Sequence, residues 1–476
     1  MKNSKGLSAG HLSMMALGTV IGGSFFLGSS VAIKEAGPSI ILGYILCGIM
    51  VYFILFALSE MTVNNTDSGS FRSFASEYIS NGTGFVVGWV YWTGMVITMS
   101  SEATAVSLLV REWFPNISLP ILGTCLIVGV TLVNLLGAKK LSQIESFLAA
   151  IKVFAILAFI IIGFLLIVGL FPNVGSIGTN VLRSESFLPG GIRGLAGSLL
   201  IIIYTYAGFE IIGLAASETA DKQRNVPRAI HYTVFTLVTL YILCIVVLLF
   251  LVPTTAFSDS VSPLVTALDR YGINGVGTIM NIILISAILS TMLAAVFGVG
   301  RMLRSLVEDG LGPKFLRDKT DVPYRGILFS GICMLLSLFV GLLFPRVYLF
   351  LISSGGFALL FTYVVLMFTH IRFRRRNGKP EGKCRLCAFP YSSLFTLLGL
   401  IIALVSMPFA SGQAAGFFAG ISLIVFFSIC YGCMKLFNHQ KQSNVNTVRR
   451  SHNRTYLTEI SEEFHDDKID KKNHNG

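Results

Sequence analysis

Charge is scarce in this chain. Of its 476 residues only 13% are Asp, Glu, Lys or Arg, whereas a soluble domain carries roughly 25%. So thin a supply cannot cover a water-facing surface, which excludes an ordinary soluble globular protein. Acidic residues are the scarcer kind, 24 against 36 Lys and Arg, leaving a formal net charge of +12. Enzyme signatures are missing too. There is no Gly-x-x-x-x-Gly-Lys-Ser/Thr phosphate loop, no His-Glu-x-x-His and no triad pattern. The chain therefore reads as neither an ATPase nor another enzyme, with no cofactor, and any work it does draws on gradients. An extracellular disulfide framework is also excluded. Six of the eight cysteines lie in or beside apolar runs, and the other two share one polar loop. Finally, Lys2 and Lys5 precede a long apolar stretch without a convincing small-residue cleavage site, so that stretch is expected to remain as a helix.

What is abundant is apolar sequence. Hydrophobic residues make up 54%, and mean hydropathy is +0.75. Twelve runs are long enough to span a bilayer, near 12–33, 38–62, 84–110, 119–137, 146–170, 194–218, 231–252, 276–303, 325–344, 347–371, 391–409 and 412–436. The expected fold class is an all-α polytopic membrane protein with 12 transmembrane helices. With the N-terminus inside, 29 of the 36 Lys and Arg fall in inner loops, inner span ends and tails. Six lie outside (Lys34, Arg111, Arg183, Arg193, Arg270 and Arg346), and Lys152 falls deep within a span. That bias is the positive-inside rule, so a multi-pass protein of the cell membrane with both termini cytoplasmic is expected. The basic excess reports orientation, and nucleic-acid binding is not implied. The chain then divides into a cytoplasmic N-terminus 1–11, a ten-helix transport core 12–371, a basic cytoplasmic loop 372–390, helices 11 and 12 within 391–436, and a polar tail 437–476.

Two spans are interrupted. Span 1 carries Gly22-Gly23-Ser24 at its centre, and span 6 carries Ala207-Gly208-Phe209-Glu210. A helix in lipid has no water to satisfy free backbone groups, so such breaks belong where protein or ligand satisfies them. Gly-interrupted spans in corresponding places of two halves point to a transporter binding site. If spans 1 and 6 each open a five-helix repeat, the odd number inverts the second repeat, giving a five-plus-five inverted repeat with broken helices 1 and 6. The break in span 1 exposes N–H groups that attract an anion, such as a substrate carboxylate, with Ser24 adding a hydroxyl. The alternative is that these small residues only permit close packing. In span 6, carbonyls of Tyr204 and Ala207 are candidates to accept from a substrate ammonium, with Phe209 or Tyr206 as a gate. Donors beside acceptors match the head group of a free amino acid.

Charges inside spans are functional candidates by default. Glu210 either titrates during transport or holds the broken backbone. Lys152 either couples to the cycle or snorkels to the inner headgroups. Glu102 either lines the pathway or hydrogen-bonds a neighbouring helix. Glu60, Glu145, Glu218, His231 and His370 sit at inner span ends and are expected to reach the interface. Two Cys-x-x-Cys pairs, Cys384/Cys387 and Cys430/Cys433, have zinc-like spacing. The second lies in an apolar helix, where cysteine behaves as a small hydrophobe, and no metal site is assigned.

Taken together these motifs resemble the amino acid–polyamine–organocation superfamily, in its bacterial amino acid permease branch. The similarity runs over 12–436. It rests on Leu17-Gly18-x-x-Ile21-Gly22-Gly23-Ser24-Phe25-Phe26-x-Gly28, on Ala36-Gly37-Pro38, and on Glu60-Met61 with Ser68-Gly69-Ser70-Phe71. It continues through Glu145-Ser146-Phe147, Ile151-Lys152-Val153, Tyr206-Ala207-Gly208-Phe209-Glu210, Ala216-x-Glu218-Thr219 and Val226-Pro227-Arg228-Ala229-Ile230. Arg301-Met302-Leu303-x-x-Leu306-x-x-Asp309-Gly310-x-x-Pro313 is its most specific element, and His370-Ile371-Arg372-Phe373-Arg374 closes span 10. The resemblance implies uptake of an amino acid with protons. It places Lys152 where sodium-coupled relatives hold a cation, and Gly22, Gly23, Ser24, Tyr204 and Ala207 around the substrate head group. An exchanger, or a non-transporting sensor on the same scaffold, are the alternatives. The branch usually has Gly at the Ser24 position. Its polar span-8 stretch is here the more apolar Ser290-Thr291-Met292-Leu293-Ala294, which suggests an apolar substrate such as a branched-chain amino acid, with Ser290 on the pathway.

Overall fold

The computed structural model describes residues 7–64, 71–136, 138–170, 177–214, 216, 219–272, 275–318, 322–380 and 382–436, without the side chains of 138–147, 149 and 214. Two compact units are present, residues 1–423 and 424–476. In the second, the described part is the final turns of one helix. The described residues form helices throughout, with a single isolated bridge between Leu7 and Thr219.

The first span is built in pieces, as its glycines suggest: α1 (Ala9–Val20), α2 (Gly23–Phe26) and α3 (Gly28–Ala36). A turn at Gly37–Ser39 leads straight into α4 (Ile40–Asn64). At 1.5 Å per residue the 25 residues of α4 extend about 38 Å, more than the roughly 30 Å hydrocarbon core. A short amphipathic helix, α5 (Phe71–Tyr78), precedes α6 (Asn81–Val110), whose N-cap Ser80 accepts the Thr83 N–H. Then come α7 (Leu119–Asn134), α8 (Ala138–Val168), the single turn α9 (Asn180–Arg183) and α10 (Gly191–Thr205). After the second break follow α11 (Ile211–Leu214) and α12 (Lys222–Leu251). The 253–275 connection folds a short helix, α13 (Pro263–Arg270). The chain continues as α14 (Val276–Glu308), α15 (Tyr324–Gly341), α16 (Val347–Asn377), α17 (Tyr391–Ser406) and α18 (Ala414–Leu436).

Among the described residues nine helical segments are long and apolar enough to cross a membrane, and α7 and α10 are shorter apolar helices. The sequence separates spans 1 and 2. The structure does too: Gly37, at φ +60°, closes α3, and the Gly37–Ser39 turn divides it from α4. Helices α4, α6 and α16 are buried along most of their length. α6 and α16 lie so close that a Cβ at Gly94 would stand 2.7 Å from the Ala358 Cβ, the small-residue packing that membrane helices favour. By contrast α15 exposes Leu328, Ile332, Leu336 and Phe339 along one face. Apolar exposure on that scale belongs against lipid. Asp309, from the most specific sequence motif, ends α14 in an ion pair with Arg72 of α5.

Candidate functional site

Two helix interruptions meet inside the bundle. At the first, Ile21 (φ −74°, ψ 103°) and Gly22 (φ −151°, ψ −164°) are both extended. A helix that restarts here leaves its first N–H groups without intrahelical acceptors. The carboxylate of Glu102, on α6, takes two of them. Its Oε2 accepts the Gly23 N–H at 2.8 Å, and its Oε1 accepts the Ser24 N–H at 3.3 Å. Each hydrogen bond to a charged group contributes roughly 1.5–3 kcal/mol. Together they offset part of the several kcal/mol that burying a carboxylate costs. A Cβ at Gly23 would lie 2.6 Å from Glu102 Oε2, so this close approach needs glycine. Of the two roles open to Glu102, the contact to a neighbouring helix is the one made. It is made at the anion-accepting terminus that the sequence associates with a substrate. The Ser24 side chain is buried beside it.

The second interruption separates α10 from α11. The Tyr204 carbonyl accepts the Ala207 N–H at 3.0 Å. Gly208 has φ +104°, and a Cβ there would lie 2.8 Å from the Thr19 carbonyl oxygen. Thr19 Oγ1 in turn donates to the Gly208 carbonyl at 3.1 Å, joining the two breaks. Glu210 braces this turn. Its Oε2 accepts the Gly208 N–H at 2.9 Å and the Tyr363 hydroxyl at 3.2 Å, and its Oε1 accepts the Tyr91 hydroxyl at 3.1 Å. That is the backbone-holding geometry. Phe209 is buried with its ring 5.3 Å from that of Tyr363. The Tyr206 hydroxyl donates to the Tyr44 carbonyl at 3.3 Å.

Lys152, on α8, is fully buried. Its Nζ donates to the Gly18 carbonyl at 2.7 Å and to Thr291 Oγ1 at 2.8 Å. Thr291, on α14, donates onward to the Ile21 carbonyl at 3.1 Å. One ammonium thus ties α8 and α14 to the carbonyls that end α1, and it does not snorkel. Gly22 packs on the same threonine, with a Cβ position 3.1 Å from Thr291 Oγ1. Ser290 is buried next to Thr291, and its hydroxyl has no hydrogen-bond partner among the described residues.

Sequence reading did not single out Tyr348. Its hydroxyl donates to the Gly23 carbonyl at 3.2 Å. It also lines a cavity of about 390 Å³ together with Lys34, Arg111, Asp259 and Arg346. Tyr348 lies one residue inside α16, in a run with no distinctive pattern, so only the packing reveals it. Thr19, Tyr91 and Tyr363 were likewise unmarked in sequence.

At the inner span ends, Glu60 and His370 are both fully buried within the protein. Glu60 Oε2 accepts from Arg374 Nη2 at 2.9 Å and from the Leu386 N–H at 2.6 Å, and His370 Nε2 lies 3.3 Å from Glu60 Oε1. The Glu60 carboxylate and the Arg374 guanidinium pair with one another, which is why they need no water. His231 is exposed, whereas the Glu145 side chain and Glu218 lie outside the described residues. Of the loop cysteines, Cys387 is exposed and Cys384 buried. Burial, with the nearby Glu60 charge, pushes the Cys384 thiol up to about 12.

Comparison with known proteins agrees with the fold. Residues 11–446 match the amino acid permease family. The chain is 32% identical to the gamma-aminobutyric acid permease of Bacillus subtilis, over 88% of this chain and 92% of that one. It is 31% identical to the L-asparagine permease of Salmonella typhimurium, over 88% and 86%. It is 32% identical to the aromatic amino acid transport protein AroP of Salmonella typhimurium, over 86% and 91%. Among solved structures, the Eremococcus coleocola manganese transporter superposes with a TM-score of 0.50 at 13% identity, covering 88% of this chain and 94% of that one, a likeness of fold alone. This chain, a multi-pass protein of the cell membrane and an amino acid transporter, belongs to the amino acid permease family.

Proposed function

We propose that the protein imports an amino acid by proton symport, with both termini and the 372–390 loop in the cytoplasm. The observation that carries this reading is the Glu102 carboxylate on the Gly23 and Ser24 N–H groups. An incoming substrate carboxylate takes over those donors. Without them, a buried carboxyl group costs less to keep as the neutral acid, so Glu102 accepts a proton as the substrate binds. Release of substrate and proton inside returns Glu102 to the break. The substrate ammonium binds carbonyls of the second interruption, at Tyr204 and Ala207, beside Gly208 and Phe209. Lys152 senses the state of α1 through the Gly18 carbonyl and Thr291. Glu210 serves as a brace.

The three relatives named above handle gamma-aminobutyric acid, asparagine and aromatic amino acids. These share a carboxylate and an amine but no side chain. Backbone donors and acceptors at two breaks suit what is shared. The side chain is read elsewhere, and the apolar Met292 and Leu293 beside Ser290 and Thr291 favour a neutral, apolar one.

The test is uptake of a pooled labelled amino acid mixture into proteoliposomes, with and without an imposed inward proton gradient. Gradient-driven accumulation supports symport, and competition by leucine, glutamate and lysine then assigns the class. Flux only into preloaded vesicles would replace symport by exchange. Ligand-induced stabilisation without flux would replace it by sensing. Dominant competition by lysine would overturn the apolar side chain.

A further inference from the structure

The loop that follows α16 builds a second site, away from both breaks. A cavity of about 520 Å³ is lined by Arg374, Lys379, Arg385, Cys387 and Phe389, among others, and among the described residues by no acidic one. Its wall is pinned. The Leu386 N–H donates to Glu60 at 2.6 Å, Arg374 Nη2 donates to the Leu386 carbonyl at 3.1 Å, and the Cys384 N–H donates to Gln223 at 3.1 Å. The Arg374 guanidinium also lies over the Phe389 ring, 5.2 Å from its centre. Glu60 balances Arg374 from behind. Lys379 and Arg385 have no ion-pair partner among the described residues, so the cavity keeps an uncompensated positive charge. Arg372, Arg375, Arg376 and Lys383 in the same segment add to that field, against one acidic residue, Glu381, in 372–390.

The surroundings indicate where an anion would come from. Two residues beyond Phe389 the chain enters α17, where Tyr391 is 77% exposed, Leu394 51% and Leu398 60%. These positions share one helix face, and nothing polar interrupts it. An aromatic residue at the head of such a stripe is typical of the headgroup level of a membrane. The basic cavity therefore borders lipid.

We propose that this cavity binds the phosphate of an anionic phospholipid headgroup, with the acyl chains lying on the Tyr391–Leu398 face. Arg385 and Lys379 supply the charge, and the pinned loop with Arg374 supplies the shape. Clustered basic groups at a membrane surface attract anionic lipid in this way. A free phosphate ion shares the headgroup chemistry but gains nothing from the apolar stripe.

The experiment is thermal unfolding of the full-length protein in a neutral detergent with added dioleoyl phosphatidylglycerol, dioleoyl phosphatidylcholine or inorganic phosphate. The variants are Lys379→Ala/Arg385→Ala and, as a charge control, Arg372→Ala/Arg375→Ala/Arg376→Ala. The expected result is a melting shift of several degrees with phosphatidylglycerol alone, largely lost in the Lys379/Arg385 variant. That variant should melt like the parent without lipid, because both side chains are exposed. An equal shift with inorganic phosphate would make the site one for a free anion and overturn the lipid assignment. A shift that survives in the Lys379/Arg385 variant, or disappears only in the arginine triple variant, would reduce the effect to general surface charge. No lipid-dependent shift would also overturn the proposal.

Discussion

Glu102 Oε2 accepts the Gly23 N–H at 2.8 Å across two helices that are 78 to 79 residues apart in sequence at this contact. A side chain thereby fills a helix terminus that a substrate carboxylate would suit, so an acid and a ligand compete for one pair of donors. Glu102→Gln keeps the size and one acceptor but cannot exchange a proton. We expect accumulation driven by a proton gradient to fall by about tenfold or more, given the strength of charge-assisted hydrogen bonds. Exchange between preloaded and external substrate should persist. Paired uptake and counterflow assays check this, and unchanged gradient-driven accumulation would remove Glu102 from the coupling step.

Lys152 lies deep within a span, and its ammonium donates to the Gly18 carbonyl and to Thr291. Lys152→Ala deletes the tie between α8, α14 and the end of α1. Transport should drop by about one to two orders of magnitude, the scale expected from a lost charged hydrogen bond, and its pH dependence should flatten. Uptake measured across a pH series would show this. A preserved pH profile would confine Lys152 to a packing role.

Gly208 combines φ +104° with a Cβ position 2.8 Å from the Thr19 carbonyl oxygen. Gly208→Ala is therefore expected to destabilise the protein by about 1–3 kcal/mol. Gly298 lies within α14 with no atom inside 4 Å of its Cβ position. Gly298→Ala should be neutral or stabilise by up to about 1 kcal/mol. Melting temperatures of the two purified variants make the comparison, and equal values would contradict the joined breaks.

The Cys384 thiol, pushed up to about 12 by burial and the Glu60 charge, holds roughly one part in 10⁴ as thiolate at pH 8. Cys387 is exposed. Maleimide at pH 8, followed by peptide mapping, should label Cys387 and spare Cys384 until the protein is denatured. Labelling of both in the native state would show that the loop does not stay docked on Glu60.

Arg374→Met leaves Glu60 buried with only His370 and the Leu386 N–H beside it. Breaking a buried pair from one side costs about 3–5 kcal/mol. The yield of folded protein should fall sharply, and Glu60→Gln/Arg374→Met together should recover part of it. A single variant with parental stability would mean that the cluster carries little of the fold.

The amino-acid sequence by itself determined the class of protein, because composition and apolar run length act through bulk solvation and need no partner. Thirteen per cent charge and mean hydropathy of +0.75 already demand lipid. The Gly22-Gly23-Ser24 and Ala207-Gly208 clusters were enough to locate both breaks, since a break depends on local backbone freedom. Tertiary structure alone decided what those breaks touch. Glu102 is 78 residues from Ser24 and Lys152 is 139 from Thr291, and no local pattern encodes such pairs. The same holds for Glu60 and Arg374, 314 residues apart. From sequence Glu60 read as a charge at a span end, and only the fold shows that Arg374 pairs with it. A lone charge in an apolar run marks a cost, and only the folded chain shows which group offsets it.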